Sequence, residues 1–384
     1  MKTTYLLLCL LGIGSVSGAG QTKQPQKIGD FIESTSYNEH RRNATRSLQY
    51  TPDGDDFVCI NGKNRFTRAL YGSHTAFRLE TSDRPVFAAY TKENPKHICF
   101  KLQTSGGTVA LDSTEHCESR YTAGRRSYSL SDPAFGGGSL SITTWALPDK
   151  EGAIWQFNAR NFKEFHPVLL ASISEIRNSK LNRNGDMGAD PADSFEAPLQ
   201  PQQLQSFPVQ IDGTLYMLLE NQELRTLTTA EGENLFKKAE AARSETASRI
   251  RIETPDPYFN TLGGTLAMAA DGIWDGEVWL HGAIGWRMPL SGWRAAYTGD
   301  VLGWHDRART HFNAYAASQV TEVPNTLPHP AQDSALHLAR SVKKWGTPQY
   351  SNGYICRNPH RNNQMHHYDM NLCYIDELLW HFKW

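Results

Sequence analysis

From about Asp56 to Leu227 the chain is a succession of short apolar runs closed by turn residues, with no helical spacing between them. "PVFAAYT" (85–91), "HICFKLQT" (97–104), "SLSITTWAL" (139–147), "AIWQFNAR" (153–160) and "HPVLLASISEI" (166–176) are rich in β-branched and aromatic residues. Asp83 with Pro85, Gly106-Gly107, Gly136 to Gly138 and Glu151-Gly152 separate them. Such runs fit a pleated, half-buried surface, and their spacing predicts strands. "FPVQIDGTLYMLLE" (207–220) sets Asp212-Gly213 between two alternating runs, which predicts a hairpin. Consecutive strands without helices between them pair antiparallel, so a β-sandwich is expected, with a barrel as the alternative.

The pattern changes near residue 228. "TTAEGENLFKKAEAARSETASRIRIE" is rich in Ala, Glu, Lys and Arg, and Thr228 with Glu231 matches a capping box. It reads as a solvated linker helix. Asp256 and Pro257 open the next helix, with Tyr258, Leu262, Leu266 and Ala269 on one face, ending at Gly272. Further helices are expected over 304–320 (Ala308, Phe312, Tyr315, Gln319), 331–345 (Ala335, Leu338, Ala339, Val342) and 370–384 (Leu372, Ile375, Leu378, Leu379, Phe382). The last of these runs to Trp384 with no Gly, Pro or polar cap, so the chain reads as the front part of a longer protein.

The first twenty residues carry Lys2, an apolar run from Tyr5 to Ile13 and small residues from Ser15 to Gly20, the layout of a secretory signal. The run is shorter than the roughly 20 residues a spanning helix needs. Periplasmic or extracellular delivery is therefore expected, with no membrane contact after cleavage. Export permits disulfides, and a Cys356–Cys373 bridge and buried thiols are both open. A net charge of −1 argues against nucleic acid as a partner.

"DGIWDGEVWLHGAIGWRMPLSGWRAAYTGDVLGWHDRA" (271–308) holds five of the ten tryptophans among carboxylates and cations. With its lead-in from Asp256 it resembles the opening of the helical region in secreted bacterial proteins of the six-hairpin, (α/α)6-barrel glycosidase type. "NGKNRFTRALYGSHTAFRLETSDRPVFAAY" (61–90) and "YDMNLCYIDELLWHFKW" (368–384) carry the same resemblance. It implies an α+β multidomain fold: a signal peptide (1–20), a loose lead-in (21–54), an antiparallel β-sandwich (55–227), a linker helix (228–254) and an incomplete (α/α)6 toroid (255–384).

The chemistry expected of the tryptophan-rich stretch is saccharide recognition. Indole planes cover the C–H faces of sugar rings while charged groups meet the hydroxyls. Trp274, Trp279, His281, Trp286, Arg287, Trp293, Arg294, Trp304, His305 and His367 are the candidate substrate-binding residues. Glycosidic hydrolysis takes two carboxylates, with Asp275, Glu277, Asp300, Asp306 and Asp369 as candidates. Asp306 and Asp369 could instead cap helices, and Asp376 and Glu377 read as solvated or paired surface charges. "NPHRNNQMHHYDMN" (358–371) matches no compact zinc signature, so neither metal nor cofactor is expected. The expected function is an exported carbohydrate-active protein, a glycoside hydrolase. Alternatives are a non-catalytic glycan-binding protein, an inactive fragment of a longer enzyme, or a polysaccharide lyase.

Overall fold

The alternating runs of the first half form two antiparallel sheets in the computed structural model. It describes residues 50–64, 67–72, 77–90, 96–148, 150–162, 167–175, 204–208, 213–221, 223–282, 287–291, 296–319, 321, 332–333, 338–339, 353–360 and 368–384. The signal segment, Trp286, Trp293, Arg294 and His367 lie outside them.

One sheet has eight strands in the order β1 (Thr51–Asp53), β2 (Asp56–Ile60), β8 (His116–Thr122), β9 (Arg125–Ser131), β10 (Ser139–Ala146), β11 (Gly152–Arg160), β14 (Thr214–Glu220), β15 (Glu223–Leu227). The other runs β13 (Leu204–Pro208), β12 (Val168–Glu175), β6 (Lys96–Thr104), β5 (Val86–Tyr90), β4 (Arg78–Thr81), β3 (Arg68–Tyr71), with β7 (Gly107–Ala110) also on β6. Period-two alternation sends Leu140 and Ile142 of β10 and Phe157 of β11 into a shared apolar core. Leu102 and Phe100 of β6, Phe87 of β5 and Leu169 of β12 meet them there. Phe87, Phe100 and Trp155 pack edge to face at its centre. The expected 207–220 hairpin does not form: β13 pairs with β12 and β14 with β11, so this connection passes between sheets. Both flanking runs are apolar, and the local turn signal yields to the ladder each run forms with a different neighbour.

Asp83 is a polar knot inside this layer. Its carboxylate accepts from the Tyr50 hydroxyl at 2.6 Å, the Asn64 amide at 3.0 Å and the Thr67 hydroxyl at 3.2 Å, and faces Arg126 at 3.6 Å. Both members of the ion pair are buried.

The helix after the sheets, α1 (Thr229–Ala247), opens with the expected capping box between Thr228 and Glu231. It is not a free linker. Phe236 packs against Trp145 and Tyr216, and Glu240 accepts from the Trp145 indole N–H at 2.8 Å. Gly232 sits so close to the Tyr216 ring that a Cβ would fall 2.2 Å from it. Ala239, Leu235 and Leu227 complete a second apolar cluster on the outer face of the eight-stranded sheet.

Among the described residues the (α/α)6 toroid expected from the resemblance is absent. Among the described residues the remaining helices are α2 (Pro257–Asn260), α3 (Gly263–Gly272), α4 (Ala296–Val301), α5 (His305–Ala316) and α6 (Tyr368–Lys383). These short, unequal helices build no ring of paired hairpins. The chain is mostly β-sheet with a helical layer, and the compact unit containing both runs from Gln49 to Trp384. Asp256 does cap α2, accepting from the Tyr258 amide at 2.8 Å, but the helix breaks before Gly263. Gly263 and Gly264 press against the backbone of Ile250 and the Ala123 side chain, and this close approach rotates Leu262 and Leu266 outward. The helix expected over 331–345 is replaced, where described, by two short paired strands, Gln332–Asp333 and Leu338–Ala339. No disulfide links Cys356 to Cys373: the first thiol is buried and the second exposed. No described helix is long and apolar enough to cross a membrane.

Helix α6 presents the face opposite to the expected one. Leu372 is 70% exposed and Phe382 87%, with Ile375, Leu378 and Leu379 also exposed. Met370, Tyr374 and Glu377, with His381 half-buried, turn inward instead.

Candidate functional site

The tryptophan-rich stretch folds as two nested turns. Asp275 Oδ1 accepts from the amides of Glu277 (3.0 Å) and Val278 (2.7 Å), and Gly276 between them has φ +100°, a conformation that favours glycine. Trp274 bridges Trp279, and Leu280 bridges Pro289. Residues 353–360 dock here. Arg357 lies 2.6 Å from Met288 Sδ, and Gln319 bridges Ile355. Two segments distant in sequence therefore share one edge.

At that edge His360 Nε2 donates to Glu277 Oε1 at 2.6 Å. Both side chains are roughly half exposed. His360 holds φ +62°, a left-handed backbone unusual for a residue with a Cβ. Arg287 lies nearby, half-buried; burial lowers its pKa, and Asp275 opposes that. His281 is half-buried, its amide donating to the Met288 carbonyl at 2.9 Å. Among the described residues the edge thus carries Asp275, Glu277, Arg287 and Arg357, and Glu151 also acts on Arg287.

The described indoles do not face this edge. Trp274, Trp279 and Trp304 are buried with Ala267, Ala308 and Phe312. Two of them already hold cations. Arg307 stacks 4.3 Å from the Trp304 centroid and 5.7 Å from that of Trp274, and Arg249 approaches Trp304 at 5.3 Å. Arg307 in turn pairs with buried Asp271 at 2.7 Å. Trp279 fits over Gly299, where a Cβ would fall 2.5 Å from the ring. These rings are core, because large apolar surfaces gain most by leaving water.

The carboxylates are dispersed. Asp300 is buried and accepts from His305 Nδ1 at 2.7 Å and His381 Nδ1 at 2.8 Å, one imidazole on each oxygen. This ties α4, α5 and α6 together. Asp306 is 94% exposed at its side chain and pairs with Arg309 on the surface, so it is no N-cap. Asp369 lies in the first turn of α6. Of the expected acids, only Asp275 and Glu277 come together.

Reading the sequence missed the floor beneath. Glu377 is buried, and burial first, then Asp376, pushes its carboxyl up to about 9. Burial lowers His311 to about 3, so its imidazole is neutral. Its Nδ1 accepts from the Trp279 amide at 3.2 Å. The Tyr315 hydroxyl approaches the Leu290 amide without closing a hydrogen bond; burial first, then Asp275, raises it. The only available signal was their spacing: Glu377 and Tyr374 are i, i+3 on α6, and His311 and Tyr315 are i, i+4 on α5.

A separate cleft of about 680 Å³ lies between the sheet and the helices, lined by Asp55, Thr122, Arg243, Ser248, Arg251 and Asn260 among others. Several of its groups are already engaged. Arg243 binds Glu240 and the Ala123 carbonyl, and Asn260 binds Thr254. Among the described residues no group of three or more His, Cys, Asp or Glu is placed to hold a metal ion.

A family described as "Domain of unknown function (DUF4450)" matches residues 95–250. The match runs from β6 to the end of α1 and stops short of the Glu277–His360 edge. None of the curated proteins matches the chain.

Proposed function

We propose that the chain is an exported saccharide-binding protein whose ligand lies against Glu277 and His360. The observation that carries this is the 2.6 Å carboxylate–imidazole pair, half exposed and assembled from two loops 83 residues apart. A carboxylate accepts from sugar hydroxyls, while imidazole and guanidinium donate to them. Carboxylates stand beside the guanidiniums among the described residues of the edge, which favours a neutral polar ligand over a polyanion. Binding is preferred to hydrolysis because Asp275, the other carboxylate of this turn, commits Oδ1 to two turn amides. Export through the first twenty residues belongs to the same proposal.

The test is affinity electrophoresis against a panel of neutral and acidic polysaccharides, with reducing-sugar release assayed alongside. Retardation by a neutral glycan, lost in Glu277→Ala and His360→Ala, is expected. Reducing-sugar release dependent on Glu277 would move the reading to glycoside hydrolysis. Absence of both would sink it.

A further inference from the structure

The cleft of about 680 Å³ has one wall built like a strand. "RIRIE" (249–253) follows α1, with charged and apolar residues alternating along it. Its burial alternates the same way: Arg249, Arg251 and Glu253 are exposed, Ile250 and Ile252 half-buried. Arg251 and Glu253 lie on one side, 3.8 Å apart. Period two is the mark of an extended chain. Both ends of the run are held. The Arg249 amide donates to the Thr246 carbonyl at 3.2 Å, and the Thr254 amide to Asn260 Oδ1 at 2.8 Å. Between them, residues 250–253 make no main-chain hydrogen bond among the described residues.

The two edges of this run differ. A Cβ on Gly263 would fall 2.7 Å from the Ile250 carbonyl oxygen, so that edge abuts the start of α3. Successive residues of an extended chain turn their N–H and C=O to opposite edges, which gives the other edge to Arg251 and Glu253. All of residues 250–253 line the cleft, together with Gly54 and Asp55 of the β1–β2 turn and Ser244 and Ser248 at the end of α1.

The volume falls within the roughly 300–1,000 Å³ of ordinary ligand sites. No aromatic ring is among the described residues that line it, so nothing there stacks on a sugar face. Arg243 is tied to Glu240 at 2.6 Å and to the Ala123 carbonyl at 2.8 Å. Arg251 and Glu253, both 85% exposed, are left to meet the charges of a ligand. An edge of alternating amide and carbonyl groups matches the main chain of another extended polypeptide. Charge then fixes the register, because directly opposite side chains interact: an acid belongs opposite Arg251 and a base opposite Glu253.

We infer that this cleft docks an extended peptide, which adds antiparallel to residues 250–253 and carries a base and an acid two residues apart. The site is independent of the Glu277–His360 edge and of the saccharide reading.

The probe is an end-capped, fluorescein-labelled peptide, Ser-Thr-Lys-Val-Glu-Thr-Ser, titrated with the whole chain and read by fluorescence anisotropy. Run antiparallel, its Lys meets Glu253 and its Glu meets Arg251. Saturable binding is expected, weakened about tenfold when the Lys and Glu amides of the peptide are N-methylated. The double variant Arg251→Glu with Glu253→Arg changes only exposed side chains, and circular dichroism establishes that it folds. It should bind this peptide about tenfold more weakly and prefer the peptide with Lys and Glu exchanged. No saturable binding of either peptide by the parent chain would overturn the inference. Equal binding of the N-methylated peptide, or a double variant with unchanged preference, would overturn it too. A parent chain that sediments as a dimer and binds neither peptide would give this edge to a second copy instead.

Discussion

Glu277 and His360 meet at 2.6 Å although 83 residues separate them, and neither is buried. Exposed pairs of this kind contribute little to stability. Glu277→Ala and His360→Ala should therefore change the free energy of unfolding by less than about 0.5 kcal/mol. Urea titration of both variants checks this. A loss well beyond that figure would make the pair structural.

The ion pair in the sandwich behaves oppositely. Asp83 and Arg126 are both buried, and Arg126 also donates to the Ser82 carbonyl at 3.0 Å and the Ser119 hydroxyl at 3.1 Å. Removing the acid strands a buried guanidinium. Asp83→Ala should cost about 3–5 kcal/mol, read as a lower urea midpoint.

The two titrating groups under Tyr315 set opposing pH limbs. The Glu377 carboxyl titrates near 9 in the folded chain against an ordinary 4.5. Between those values the folded state holds the extra proton, so raising the pH through the window lowers stability. Glu377→Gln should remove that slope. The variant would exceed the parent by on the order of a few kcal/mol at about pH 8, the gap closing toward about pH 4. His311 titrates near 3 when folded against 6.5, so the unfolded chain gains its proton first on acidification. Stability falls from about pH 6.5 toward about pH 3, and His311→Gln should flatten this limb. Urea midpoints across pH read both.

Which face of α6 is inward is open to direct measurement. Tyr374 is buried and its hydroxyl donates to the Phe312 carbonyl at 2.8 Å, while Leu379 is exposed. Tyr374→Ala should cost about 3 kcal/mol or more, and Leu379→Ala no more than about 0.5 kcal/mol. The reverse order would mean that the Leu379 face is the buried one.

Several local features were legible because their cause is local. The strands at 86–90, 139–146 and 152–160 lie on the alternating runs, and the Thr228–Glu231 capping box needs only four residues. Features decided at long range were not. The Asp212-Gly213 turn signal says nothing about which sheet each flanking run will join, and the strands part. The α6 stripe of Leu372, Ile375 and Phe382 marks an apolar face, yet Tyr374 and Glu377 on the other face find Phe312 and the α5 surface. The helical toroid failed on the same ground, since a resemblance in short motifs does not fix how helices close on one another. At the site, the indoles misled. Their number suggested an open sugar platform, whereas Trp274 and Trp304 are occupied by Arg307. Glu277 was legible as an acid, but Glu377 was not, because helical position alone does not reveal burial.

Isothermal titration of the folded chain with the neutral glycan that most retards it, beside Glu277→Ala under the same conditions, tests the central claim most directly. Saturable heat with the parent chain and none with the variant is the predicted result. Equal binding by both, or no heat from any glycan, would contradict it.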